Sequence, residues 1–201
     1  MENQESRTDK GAVKIKQSEL IKKASMLKAI LLSYKNKELS SDIKARVMMN
    51  RIFYSKYRKQ FDEDVKEAEE AFKPEGFDEN LKEASELEHK VQEKTKNEKI
   101  TEELMKEALT PEEFEKHKSF MEEYTKYMKE LIDFKSQKLD EEIEIDEKKF
   151  SQKEFENILD VNTDEKYNID VCLKNDGKNM IVPGSMKSAD FMEMLYEEFV
   201  E

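Results

Sequence analysis

Cysteine, glycine, proline and tryptophan are scarce in this chain: one Cys, four Gly, three Pro and no Trp in 201 residues. A single thiol, Cys172, closes no internal disulfide, so no disulfide framework holds the fold, which fits a reducing cytoplasm. Few Gly and Pro mean few forced turns, which favours long helices and few loops. No apolar run approaches the roughly 18 residues of a membrane span. The opening MENQESRTDKGAVK lacks the apolar stretch of a secretory signal and reads as a disordered lead-in over 1–14. No Gly-rich phosphate loop, Gly-x-Ser-x-Gly or Walker motif is present. The chain is therefore expected not to be an enzyme and to need no cofactor and no metal.

What is abundant is charge, 42% of residues, and its signs are segregated. Residues 1–60 hold 15 Lys/Arg against 6 Asp/Glu, and 61–201 hold 21 against 42, giving +9 and −21 within the total of −12. A basic end on an acidic chain meets partners that the rest would repel. The apolar residues recur at helical spacing and suffice for a slender core.

Residues 18–34 read as a first helix, with Leu20, Ala24, Leu27, Leu31 and Tyr34 on one face. Ser41 reads as the cap of a second helix over 42–72, striped by Ile43, Val47, Tyr54, Tyr57, Phe61, Val65, Ala68 and Phe72, with Asn50 inside the stripe. Around Val47, Met48, Met49, Ile52, Phe53 and Tyr54 it is apolar almost all round, which predicts packing on two sides. Lys73-Pro74-Glu75-Gly76 ends it. A thin seam of Leu81, Ala84, Leu87 and Val91 predicts a helix over 78–96, and a short one follows over 101–108. At Thr110-Pro111-Glu112-Glu113 a capping box with Pro at the first helical position opens a helix over 111–139, and Leu109 can staple to Phe114. At about 1.5 Å per residue this helix matches the second in length, so the two are expected to pair antiparallel along most of it.

After Leu139 the period changes. Ile143 and Ile145 alternate with acids as in a short strand, and Ser151 with Glu154 forms a second capping box. Tyr167, Ile169, Val171 and Leu173 alternate as a strand. Asn175-Asp176-Gly177-Lys178 turns the chain, 179–182 returns, and Pro183-Gly184 ends the strand. Ser188 reads as the cap of a last helix carrying Phe191, Leu195 and Phe199. The fold class is mainly α: an elongated antiparallel helical bundle over 15–139 with a small C-terminal α+β appendage over 140–201, its hairpin at 167–182.

Several constellations imitate known sites. Asp160, Asn162 and Asp164 open like a calcium loop, but Glu165 stands where Gly is needed and Val171 where a bidentate Glu is needed. Glu86 and His89 have the Glu-x-x-His spacing of di-iron bundles, which need that motif on two helices. His117, the only other histidine, has Phe114 where the second motif requires Glu, and its nearest helical carboxylate is Glu113, at i−4. His117 lies on an apolar stripe and reads as a hydrogen-bonded core histidine, whereas His89 reads as solvated. Cys172, with no His near it in sequence, reads as an inert thiol.

The basic cluster of the second helix is the remaining candidate: Arg46, Arg51, Lys56, Arg58 and Lys59, with three of the chain's four arginines. Arginine suits planar, bidentate anion contacts. Two readings stay open. Either these side chains face an acidic partner or nucleic acid, or they neutralise the acidic remainder of their own chain. No aromatic-interleaved motif strengthens nucleic acid.

Val13-Lys-Ile-Lys-Gln-Ser-Glu-Leu-Ile, Glu38-Leu-Ser-Ser-Asp-Ile-Lys-Ala-Arg-Val and Tyr57-Arg-Lys-Gln-Phe give a layout that resembles a small family encoded in tail modules of tailed bacteriophages. Glu141-Glu-Ile-Glu-Ile, Phe155-Glu-Asn-Ile-Leu and Phe191-Met-Glu-Met-Leu resemble the order in which that family ends. Residues 77–110 and the hairpin depart from it. The family has no established catalytic residues, so none carry over. The resemblance implies a non-enzymatic structural or assembly protein, in the virion or the host cytoplasm, acting by protein–protein contact. Its expected partners are other phage structural proteins or its own copies in an oligomer or larger assembly, with no membrane. The alternative is a cytoplasmic binding module or assembly chaperone that recognises an anionic partner through the basic helix.

Overall fold

The computed structural model describes residues 12–33, 39–96, 99–159 and 166–200. The order is β1 (Val13–Lys16), α1 (Gln17–Ser33), α2 (Ser41–Phe72), α3 (Phe77–Thr95), α4 (Glu102–Ala108), α5 (Pro111–Asp140), β2 (Glu142–Ile145), α6 (Gln152–Leu159), β3 (Lys166–Asn175), β4 (Lys178–Lys187) and α7 (Ser188–Phe199). The protein is mainly α with two small antiparallel strand pairs, β1 with β2 and β3 with β4. It divides into two compact units, one of residues 1–64 and 135–201, the other of 65–134. That grouping follows contacts, where the division into 1–14, 15–139 and 140–201 follows chain order.

The first unit is built around α1. Its Leu20, Ile21, Met26, Leu27 and Ile30 are almost wholly buried. Leu20, Met26, Leu27 and Ile30 share one core with Val47 and Tyr54 of α2, with Phe150 and Ile158, with Tyr167 and Ile169 of β3, and with Phe191, Leu195 and Phe199 of α7. Tyr167 stacks on Phe191 at 4.1 Å between ring centroids. The α+β segment therefore completes the core of the first helix. β1 is an addition to the elements expected from sequence. Val13-Lys-Ile-Lys pairs in register with β2, so that Lys14 lies opposite Glu144, Lys16 opposite Glu142, and Ile15 opposite Ile143.

The second unit includes two smaller cores. Phe77, at the start of α3, packs with Ala84 and Phe120 and touches Tyr124 and Tyr127. Leu87 and Val91 of α3 pack with Met105, Ala108 and Leu109, and Phe114 lies against them as the staple predicts. Gly76 takes φ 69° between α2 and α3, a left-handed conformation in which a Cβ would be strained.

The expected pairing of α2 with α5 is found in part. Asp64 bridges to Lys138 at 3.3 Å, the Tyr127 hydroxyl donates to the Glu69 carbonyl at 3.3 Å, and Phe72 meets Phe134 edge-on at 5.8 Å. The first half of α2 packs against α1 and α7 instead, because Val47 and Tyr54 belong to their core. The first half of α5 packs against α3, through Lys116–Glu83 and His117–Glu88.

Three boundaries also differ. Ser40, not Ser41, caps α2, accepting from the Ile43 amide at 3.4 Å. Lys187 stands at the N-cap of α7, and Ser188 is its first helical residue. β4 continues through Pro183-Gly184 to Lys187. A two-stranded sheet gives every strand a free edge, where a missing N–H costs no ladder bond.

Candidate interaction site

Much of the basic charge of the N-terminal segment is matched inside the first unit by acids from the C-terminal segment. Lys16 bridges to Asp140 at 2.7 Å. Lys22 reaches Glu198 at 2.8 Å. Lys23 is buried, yet it holds both Glu147 at 3.0 Å and Glu198 at 2.8 Å, and its ammonium also lies 4.6 Å from the centre of the Phe199 ring. Burial alone would raise the Glu198 carboxyl, but hydrogen bonds from Lys22 and Lys23 outweigh it and hold the group below the usual carboxylate range.

The five basic residues of α2 do not act as one patch. Arg46 turns toward the segment before α6, where it donates to the Lys149 carbonyl at 3.4 Å and lies 3.8 Å from Glu154. Lys56 sits over the rings of Phe53 and Tyr57, each at 4.6 Å. Arg58 is shared by Asp62 on its own helix and Asp170 on β3, both at 2.9 Å. Arg51 and Lys59 have no hydrogen bond or ion pair among the described residues. The structure brings these two together with Lys28 of α1, which is equally unpaired, around an open cleft of about 620 Å³. Sequence shows only that Lys28 lies off the apolar row of its helix. It does not show that α1 and α2 form opposite walls of one cleft.

The cleft is held in shape from below. The Asp170 amide donates to the Ser25 hydroxyl at 2.7 Å, fastening β3 to α1. Gly184 lies where a Cβ would come 3.2 Å from a Val171 methyl, so the two strands approach closely there. Beside the cleft, α2 turns Met48, Met49 and Ile52 outward at 50%, 65% and 60% exposure, and α1 exposes Leu32 at 55%. Sequence predicts that the first half of α2 packs on two sides. Among the described residues it packs on one.

The other candidates resolve individually. His117 is buried and hydrogen-bonds Glu88 of α3 at 3.0 Å. Its own-helix neighbour Glu113 is engaged by Lys90 at 2.5 Å and by the Thr110 amide at 2.9 Å. His89 is exposed beside Glu93 at 3.5 Å, while Glu86 faces Lys82 at 3.9 Å, so Glu86 and His89 do not converge. Cys172 is half-buried on β3 opposite Ile181. Asp160, Asn162 and Asp164 lie outside the described residues. Among the described residues no three His, Cys, Asp or Glu side chains group as a metal site, and no helix is long and apolar enough to cross a membrane. Neither a family model, nor a curated protein, nor a solved structure matches the chain.

Proposed function

We propose that the chain is a non-enzymatic structural or assembly protein acting by protein–protein contact, in the tail of a tailed bacteriophage as the family resemblance implies. The observation that carries this reading is the outward side of α2. Met48, Met49 and Ile52 lie within about one turn of a helix whose opposite side is in the core, and all three are at least half exposed. Contiguous apolar surface of this kind, rimmed by polar groups, marks interaction sites. The ionisable groups also favour a scaffold over a catalyst. Those in buried positions, such as Lys23 and His117, are taken up in pairs that tie segments together.

The test is co-purification. The protein should band with phage particles, and the triple variant Met48→Ser, Met49→Ser, Ile52→Ser should keep the wild-type melting curve but be lost from particles. Retention of that variant in particles would count against the reading. A second reading has its own support in Arg51, Lys59 and Lys28, which lack internal partners among the described residues: a binding module or assembly chaperone for an anionic partner. It requires the protein in infected cells and not in particles.

A further inference from the structure

The cations around the α1–α2 cleft say more about the partner than the apolar face does. Lys16, Lys22 and Lys23 all find carboxylates inside the first unit, and so does Arg58. Lys28, Arg51 and Lys59 line the same cleft and find none among the described residues. Arg51 and Lys59 lie eight residues apart on one helix, about two turns or about 12 Å along its axis. Ser55, between them in the helix, also lines the cleft. From α1 the lining includes Ile21 and Ala24, both buried, and Leu32, which is exposed.

We propose that this cleft is the docking groove for an acidic, partly apolar segment of a partner protein. Two of the segment's carboxylates would meet Arg51 and Lys59, a third would meet Lys28, and its apolar side chains would cover Leu32 and Ile52. The inference rests on the protein–protein reading above and specifies the chemistry of the partner. A spacing of about 12 Å corresponds to acids four residues apart in an extended segment, at about 3.3 Å per residue and on one face. Charge complementarity favours carboxylates on a protein over a nucleic acid. Asp62 and Asp170 share the lining and would repel a continuous phosphate backbone, while isolated carboxylates can sit between them. Three cations beside exposed leucine and isoleucine are also unlike the long basic stripe that phosphate tracking requires.

The experiment uses the full chain and a labelled peptide with Glu at every fourth position and Leu between, read by fluorescence anisotropy at about 50 mM and about 300 mM salt. Control probes replace Glu with Lys, replace Leu with Ser, or substitute a thymidine oligonucleotide. The Glu–Leu peptide should bind saturably, more weakly at the higher salt, and better than every control. Arg51→Gln with Lys59→Gln should weaken it about tenfold with the urea midpoint unchanged, while Arg46→Gln should leave binding as it was. Absence of saturable binding, equal binding by the double variant, or tighter binding of the oligonucleotide would overturn the proposal. So would a salt-sensitive dimer that the double variant abolishes, since the occupant would then be a second copy. If the Met48/Met49/Ile52 variant is lost from particles while the Arg51/Lys59 variant stays, the proposed function stands and the groove assignment falls.

Discussion

Lys23 is the residue on which the charge balance of the first unit turns. Its side chain is 4% exposed, and a buried ammonium persists only with partners and hydrogen bonds in place. Glu147 and Glu198 supply them. Lys23→Met should cost up to about 3–5 kcal/mol, the range for removing one partner of a buried pair, because Glu198 would keep only Lys22 and Glu147 only Lys149 as cationic partners. A urea melt checks it, and a loss under about 1 kcal/mol would show that water reaches the site. The dependence on pH follows from Glu198, whose carboxyl is held low. A depressed carboxyl contributes stability above its unfolded pKa and loses it as pH falls through the folded value. The Lys23 effect should therefore shrink below the usual carboxylate range. None of this is visible in sequence, where Lys23 is one of several lysines beside an apolar row. Its burial comes from α7, whose Phe199 and Glu198 arrive from the far end of the chain.

At the scale of elements, the best local signals are those that need no distant partner. The box at Thr110–Glu113 forms as expected, with the Glu113 amide donating to the Thr110 hydroxyl at 3.3 Å and the Thr110 amide to Glu113 at 2.9 Å. The box at Ser151 and Glu154 forms likewise, at 2.8 and 3.3 Å. Glu113 also accepts from Lys90, and that bond first, with the Thr110 amide second, lowers its carboxyl to about 2. Its contribution should be complete above the ordinary carboxylate value of about 4.5 and disappear as pH falls toward about 2. Glu113→Gln should thus lower the urea midpoint at neutral pH and converge on wild type near pH ~2. A gap that persists unchanged into acid would mean the side chain acts through packing alone. The hairpin turn is equally legible, since Asp176 and Gly177 both take positive φ, 47° and 76°. β1 is not. Its four residues are ordered by β2, whose acids face its lysines, and by the core in which Ile15 is buried, both brought from far along the chain. The end of β4 is misplaced by sequence because Pro183-Gly184 ordinarily breaks a strand, and only an unpaired strand edge makes it harmless.

For the whole molecule, the segregation of charge along the chain becomes neutralisation in space. Residues 1–64 hold 15 Lys/Arg against 9 Asp/Glu, and residues 135–201 hold 9 against 18. They fold into one unit with a net charge of −3, against −9 for residues 65–134. Of the two readings of the basic helix, Arg46 and Arg58 follow the internal one, and Arg51 and Lys59 are left over. Sequence places these basic residues on one helix but does not divide them, because the division depends on which side β3 and the segment before α6 approach. The central claim is that one side of α2 belongs to the core and the other to a partner. Methionine oxidation tests it most directly, since exposed thioethers oxidise before buried ones. In the free protein, peroxide should oxidise Met48 and Met49 early and Met26, which is fully buried, late. In purified particles, Met48 and Met49 should become as slow as Met26. Oxidation of Met48 and Met49 in particles at the rate of the free protein would contradict the account.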